Sequence, residues 1–374
     1  LGLSDTAFGL LVGTPILTGS LSRLALGIWT DQYGGRLVNT LVMLAAAAAT
    51  FMLSYAETYL QFLIAALGVG IAGGSFAVGI AYVSRWYPKE RQGTALGIFG
   101  MGNVGAAVTK FIAPFVMVAL GWAAVAQIWA GALAVMAVFF YLFAKDDPVL
   151  VERRKSGAKP QSAASQLEPL KNLQVWRFSL YYFFVFGAFV ALALWLPRYF
   201  VGAYGLPITT AGMLAAAYSI PGSIFRAVGG WLSDKIGRVK TFLIGYGIVF
   251  AWMIPMFALI DTKNIFLYGV ALFVLTIGLG LSYGPMSAMY AEMFPANVRY
   301  SGISIGYAFG AILGGAFAAT IAEALLQGTG WTGSIGIYIM ILCVISAVGV
   351  LLAGETRGRP LGVSHHAPAA TAKH

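Results

Sequence analysis

Gly19-Ser20-Leu21-Ser22-Arg23, followed by Gly27, Asp31, Gly34 and Arg36, returns later in the chain as Gly222-Ser223-Ile224-Phe225-Arg226, followed by Gly230, Asp234, Gly237 and Arg238. In both copies the arginine precedes the aspartate by 8 residues. A chain that repeats its small residues and its charges at one spacing is made of two halves with matching chemistry, a plan common among membrane proteins with internal repeats.

The surroundings of both copies are apolar. Hydrophobic residues make up 59% of the 374-residue chain and charged residues 10%, and the mean hydropathy is +0.82. Soluble domains carry about 25% charged residues, so this chain lacks the means to cover a water-facing surface. Its apolar residues come in runs such as 64–83. About 20 such residues span a bilayer as a helix, with the backbone polar groups satisfied internally. Outer-membrane barrels alternate polarity over segments of about 10 residues, a pattern not seen here. The expected fold class is therefore an all-α membrane protein. Eleven spans are expected, at 8–30, 37–55, 59–84, 93–120, 123–144, 177–200, 207–232, 239–260, 265–288, 300–326 and 333–353. The polar stretch from Lys145 to Gln174, with Pro148, Pro160 and Glu152-Arg153-Arg154-Lys155, reads as a linker. The expected units are an N-terminal bundle at 1–144, a linker at 145–176, a C-terminal bundle at 177–355 and a tail at 356–374. Cys343 lies in an apolar run and reads as a small buried side chain. His365, His366 and His374 fall in the tail.

The net charge of +10 does not point to nucleic acid, because it sits in loops between spans. With the linker placed in the cytoplasm, only Arg198 and Lys263 among the loop basic residues fall on the opposite side. That is a strong positive-inside bias. Arg23, Lys110 and Arg226 are different, since they fall within spans.

Gly27-x-x-x-Asp31-x-x-Gly34-Gly35-Arg36 and Gly230-x-x-x-Asp234-x-x-Gly237-Arg238 resemble the loop motif of the major facilitator superfamily, once per half. The resemblance implies a two-bundle fold of twelve helices, with the motif after the second and the eighth. By that count the first helix is missing from this sequence. It also implies a gating role for Asp31, Arg36, Asp234 and Arg238: the acid pairs with basic groups and with a helix end across the bundle interface. The alternative is that Gly and Asp only shape a tight turn.

An arginine within a span is expensive and marks a functional site by default. Eight helical residues place each arginine about 12 Å inward from its aspartate. That is near the middle of a hydrocarbon core about 30 Å thick. Neither helix offers an acid to pair with, and only Glu323 reads as plainly intramembrane. Two guanidiniums facing one cavity from equivalent positions call for an anion, and a planar oxyanion suits their rigid donor forks. The alternative is that each is tied to backbone carbonyls or reaches out to the interface. Lys110 has three open readings: a third cation for substrate, a candidate coupling residue whose protonation changes during transport, or a side chain that reaches outward.

Phe76 in Gly73-Gly74-Ser75-Phe76-Ala77, Gly100-Met101-Gly102-Asn103-Val104-Gly105, and Trp176-Arg177-Phe178-Ser179-Leu180-Tyr181-Tyr182 running to Gly187 resemble the nitrate/nitrite porter family over residues 1–240. What that resemblance implies is an arginine clamp at Arg23 and Arg226 on a planar anion. Aromatic rings at Phe76 and Tyr182 would sandwich the anion, and Asn103 would be the signature asparagine of a Gly-rich helix. From Phe242 onward the sequence looks more like the metabolite:proton symporter branch of the superfamily. Tyr283-Gly284-Pro285, 291–302 and Gly354-Glu355-Thr356-Arg357-Gly358 carry that likeness. Gly302, Gly306, Gly310, Gly314 and Gly315 have no accompanying asparagine, and the tenth-helix aromatic of the nitrate family has no clear counterpart.

The expected function is secondary active transport of a small inorganic anion, nitrate or nitrite, by antiport or linked to protons. The alternative is a proton-coupled symporter of a small organic carboxylate. A channel or scaffold has no use for a gate motif on each half. No Ser/His/Asp grouping, metal-ligand cluster or phosphate loop suggests an enzyme, and no cofactor is implied. The expected partners are the anion, protons if transport is coupled, and the lipid of a bacterial inner membrane. The chain is expected to act as a monomer with linker and C-terminus cytoplasmic.

Overall fold

The computed structural model describes residues 5–157, 167, 170–171, 173, 175–176, 179, 182, 201–202, 205–294 and 299–358. All of the expected span at 177–200 except Ser179 and Tyr182, most of the linker after 157, Arg177, Arg198, the side chain of Glu323 and the tail histidines lie outside the described residues. Among the described residues, nine helices are long and apolar enough to cross a membrane.

The N-terminal group consists of α1 (Asp5–Tyr33), α2 (Gly35–Leu53), α3 (Tyr59–Gly70), α4 (Ser75–Ser84), α5 (Gln92–Gly100), α6 (Val104–Leu120) and α7 (Trp122–Phe143). A short helix α8 (Pro148–Ser156) follows in the linker. The C-terminal group consists of α9 (Ile208–Ile236), α10 (Arg238–Asp261), α11 (Ile265–Met293), α12 (Arg299–Thr329) and α13 (Gly333–Ala353). The expected spans at 59–84 and 93–120 are each broken by a tighter 3₁₀ turn, at Ile71–Gly74 and Met101–Asn103. Both breaks fall on glycine-rich runs.

Local chemistry sets the element ends. Gly34 and Gly237, equivalent in the internal repeat, take φ of 97° and 106°, where a side chain is strained. They let α1 turn into α2 and α9 into α10 with no further loop. Thr58 and Gln61 form a capping box at the start of α3, and the Asn264 side chain accepts from Phe266 and Leu267 at the start of α11. Asp147 caps α8, which has Pro148 in its first turn and ends at Gly157 in the left-handed conformation.

Within each group the long helices pack on their neighbours, α2 against α7 and α3, and α10 against α11 and α13. Between the groups, α1 meets α12, α5 meets α9 and α11, and α6 meets α9. The most enclosed stretch is Gly278–Met293 of α11, where every residue is buried. Large side chains such as Phe139, Phe143, Leu351 and Leu352 are exposed on the outer surface, as expected where lipid replaces water. Thr356 is fully buried and donates to Glu292 at 2.6 Å, and Arg357 donates to the Lys235 carbonyl at 2.9 Å. These contacts involve the first two residues of the expected tail.

The α5–α9 crossing is made of backbone. A Cβ on Gly97 would lie 2.8 Å from the Arg226 carbonyl oxygen, and one on Gly230 would overlap the Gly93 carbonyl oxygen. Gly230→Leu should therefore force the two groups apart, costing about 1–3 kcal/mol by overpacking. Thermal unfolding in detergent should show a lower midpoint for Gly230→Leu. Gly247→Ala, where the added carbon meets open space, should leave it unchanged.

Candidate functional site

A cavity of about 680 Å³ lies between the two groups of helices. Arg23 from α1, Phe76 from α4, Asn103 from the second 3₁₀ turn, Lys110 from α6, Tyr182 and Arg226 from α9 all line it. Every side chain that the sequence suggested for binding or coupling thus faces one space. Among the described lining residues there are three cations and no carboxylate.

Both guanidiniums are buried, Arg23 at 4% exposure and Arg226 at 2%. Removing such a charge from water is costly unless its donors find partners. Arg23 donates from Nε to the Gly73 carbonyl at 3.1 Å and from Nη1 to the Tyr307 carbonyl at 2.9 Å. Arg226 donates to the Gly100 carbonyl at 3.4 Å. Asn103 turns its amide to Arg226; with the oxygen facing the guanidinium it accepts from Nη1 and, at 3.2 Å, from Nη2. Gly73 lies in the first 3₁₀ turn, and Gly100 immediately precedes the second. Such turns replace the regular α-helical pattern with i→i+3 bonds and recur at functional hinges. The backbone-carbonyl reading of the arginines therefore holds in part, and it operates inside the cavity.

Aromatic faces complete the setting. Arg226 sits 3.4 Å from the ring centre of Tyr283, while Arg23 is 5.7 Å from Tyr182 and 5.9 Å from Tyr307. Cation–π attraction of this kind strengthens when water is excluded. Tyr307 packs edge-on against Phe76 and Tyr182, with ring centres 5.7 and 4.3 Å away. The Lys110 ammonium donates to Ser219 Oγ on α9 at 3.0 Å. It therefore reaches across to the other group rather than outward.

At the end of the molecule that carries the loop motifs, the two aspartates make parallel contacts. Asp31 accepts from the Ser301 backbone at 3.3 Å and from Ser301 Oγ at 3.1 Å, near the start of α12. Asp234 accepts from the backbone of Gly93 at 2.9 Å and of Thr94 at 2.6 Å, in the first turn of α5. Each acid thus meets the positive end of a helix in the opposite group. Arg238 pairs with Asp234 at 2.7 Å and with Glu292 at 2.6 Å. Arg36, its counterpart in the repeat, departs from the expectation. It donates to the Tyr141 carbonyl at 2.9 and 2.7 Å and stacks on the Tyr141 ring. Arg85 takes the place beside Asp31, at 3.1 Å, and also holds Asp147 at 3.1 Å.

A model of the Major Facilitator Superfamily matches residues 1–319. The chain belongs to the Major Facilitator Superfamily. It is a multi-pass membrane protein of that superfamily. A probable nitrate/nitrite antiporter of Thermus thermophilus, NarK1, is 37% identical, over 94% of this chain and 83% of the relative. A nitrite extrusion protein of Bacillus subtilis (strain 168) is 30% identical, over 88% of this chain and 80% of the relative. The Thermus similarity extends well past residue 242, into the part whose motifs look like the symporter branch. Among solved structures, the proton:xylose symporter XylE bound to 6-bromo-6-deoxy-D-glucose superposes with a TM-score of 0.76 at 13% identity. The match covers 96% of this chain and 90% of that one, and it shows the superfamily fold.

Sequence reading missed Tyr283 and Tyr307. Tyr283 stands in the quoted Tyr283-Gly284-Pro285 and supplies an aromatic face on α11, where no clear counterpart was expected. Tyr307 follows Gly306 in a run read only for its glycines. The one available signal was a tyrosine beside a helix-packing glycine, which is common in any apolar span.

The cap on α5 is testable. Asp234→Asn weakens the charged acceptor of the Gly93 and Thr94 amides while Glu292 still pairs with Arg238, a change costing about 1.5–3 kcal/mol. Hydrogen exchange of the amides at 92–97 should speed up at least tenfold relative to the unaltered protein. Unchanged protection would mean the carboxylate does not hold the α5 end.

Proposed function

We propose that this chain is a nitrate/nitrite transporter, not an enzyme, that exchanges one anion for the other by alternating access. The observation that carries the reading is the cavity itself: two buried arginines and a lysine line it, with no carboxylate among its described residues. Arg23 and Arg226 form the clamp, and a flat anion between them accepts from guanidinium forks on both sides. Phe76 and Tyr182 wall the site with π faces, and Asn103 holds the Arg226 guanidinium in its orientation. The names of the Thermus and Bacillus relatives support nitrate and nitrite as the substrates.

The N-terminal and C-terminal groups of helices are the two rocking halves in this proposal. Asp31 with Ser301, and Asp234 with Gly93 and Thr94, form the seal on one side. The seal carries the basic loops, so it faces the cytoplasm of a bacterial inner membrane, as do the linker and the C-terminus. Arg238 and Arg85 neutralise the two gating acids, while Arg36 anchors α2 to α7. Exchange needs no titratable group in the path, which fits a cavity whose described lining holds no carboxylate. The volume of the cavity favours a second reading, a proton-linked carrier of a small organic carboxylate, because 680 Å³ exceeds what one nitrate fills.

Isotopic nitrite uptake into proteoliposomes, with and without internal nitrate and with and without a proton gradient, separates the readings. Uptake should require internal anion and should fall about tenfold or more in Arg226→Lys, which keeps the charge but loses the fork. Uptake driven by the proton gradient alone would replace exchange with symport. Competition by acetate or lactate as strong as that by nitrate would favour the organic carboxylate.

A further inference from the structure

The transport reading uses the arginines and leaves Lys110 without a task. Lys110 lies 7 residues beyond Asn103 on the path from α5 into α6, and Ser219 lies 7 residues before Arg226 on α9. The two paths run in opposite directions, since α5 begins and α9 ends at the end that carries the loop motifs. Two cross-links therefore join them like rungs. Asn103 meets Arg226, and Lys110 meets Ser219 at 3.0 Å. Seven helical residues separate the rungs by about 10 Å. The Lys110 rung is the one farther from the Asp31 and Asp234 contacts.

A lysine ammonium has three donors. One is given to Ser219 Oγ, and among the described residues no carboxylate lies within ion-pair distance of Lys110. Lys110 lines the same cavity as the arginine pair. A separation of about 10 Å is too long for one four-atom anion to touch both rungs. A positive group at the cavity wall, held by a neutral hydroxyl and not by an acid, keeps its charge available to a ligand.

We propose that Lys110, held in place from behind by the buried Ser219, forms a second anion-binding subsite in the cavity, a station for a small inorganic anion set apart from the arginine clamp toward the opposite end of the molecule. Ser219 fixes the ammonium by accepting from it, while its own hydroxyl proton goes to the Ala215 carbonyl at 3.1 Å, so the anion is met by the remaining lysine donors. An anion entering from that end meets Lys110 first and passes to the arginines two helical turns further on. An exchanger benefits from such a station, because incoming and outgoing anions then occupy the cavity together. The inference rests on reading the cavity as an anion path.

The test is calorimetric titration of the purified full-length chain with sodium nitrate and, separately, with sodium bromide. The unaltered protein should bind two anions per chain. Lys110→Gln and Lys110→Met should each bind one, and Lys110→Arg should bind two. The arginine replacement shows whether the position tolerates change, and the two neutral replacements guard against one of them failing to fold. One anion bound by both the unaltered protein and the neutral variants would overturn the subsite and leave the nitrate reading intact. Two bromides bound with no nitrate would keep the subsite and overturn the nitrate reading. Two nitrates retained in the neutral variants would place the second anion elsewhere and overturn the proposal. Binding of neither anion would overturn both.

Discussion

Two guanidinium charges inside apolar helices set the terms for the rest of this structure. A charge held away from water is tolerated only where its donors are met, and the described partners here are backbone carbonyls and the Asn103 amide. Glycine-rich stretches in two N-terminal spans tighten into 3₁₀ turns and bring carbonyls to Arg23 and Arg226. Tyr307 supplies a third carbonyl from the other group of helices. Each of these partners is neutral, and the described lining of the cavity holds three basic side chains and no carboxylate. A carboxylate in their place would have satisfied the arginines and cancelled the charge that draws an anion.

The same economy appears at the loop-motif end. Asp31 and Asp234 lean on helix starts across the interface, and each also has an arginine beside it. The repeat preserves the acid, its distance from the membrane-buried arginine, and the glycine that turns the chain. It does not preserve which arginine neutralises the acid. Arg238 does so four residues after Asp234, whereas Arg85 comes from the far end of α4. The linker joins this network, since Arg153 donates to the Asp31 and Gln32 carbonyls and Asp147 is held by Arg85. Helix α8 is therefore packed against the first turn-to-helix junction and is more than a tether.

Much of this could be read from residues alone because it concerns charge in the wrong place. Arginine and lysine are rare enough in apolar spans that Arg23, Arg226 and Lys110 identify themselves, and a duplicated spacing puts the arginines at matching depth. Phe76, Asn103 and Tyr182 were accessible only through family resemblance, and the structure brings them to the same cavity. Tyr283 and Tyr307 were not legible, because an aromatic in an apolar helix looks the same whether it packs on leucine or on a guanidinium. The partner of Arg36 was also hidden. A repeat predicts what two halves share, while the swap to Arg85 depends on how α4 and α7 meet α1 and α2 in space. The 3₁₀ breaks at Gly73 and near Asn103 fall inside runs that hydropathy counts as continuous.

The placement of the cavity also has an electrical consequence. The two arginines line the cavity from helices that are long and apolar enough to cross a membrane. Any step that carries net charge through the membrane field is worth about 2.3 kcal/mol per elementary charge at 100 mV. Under the exchange proposed here, one monovalent anion crosses in each direction and the cycle moves no net charge. Membrane voltage then drops out of the balance, and the concentrations of the two anions alone decide which way each one travels.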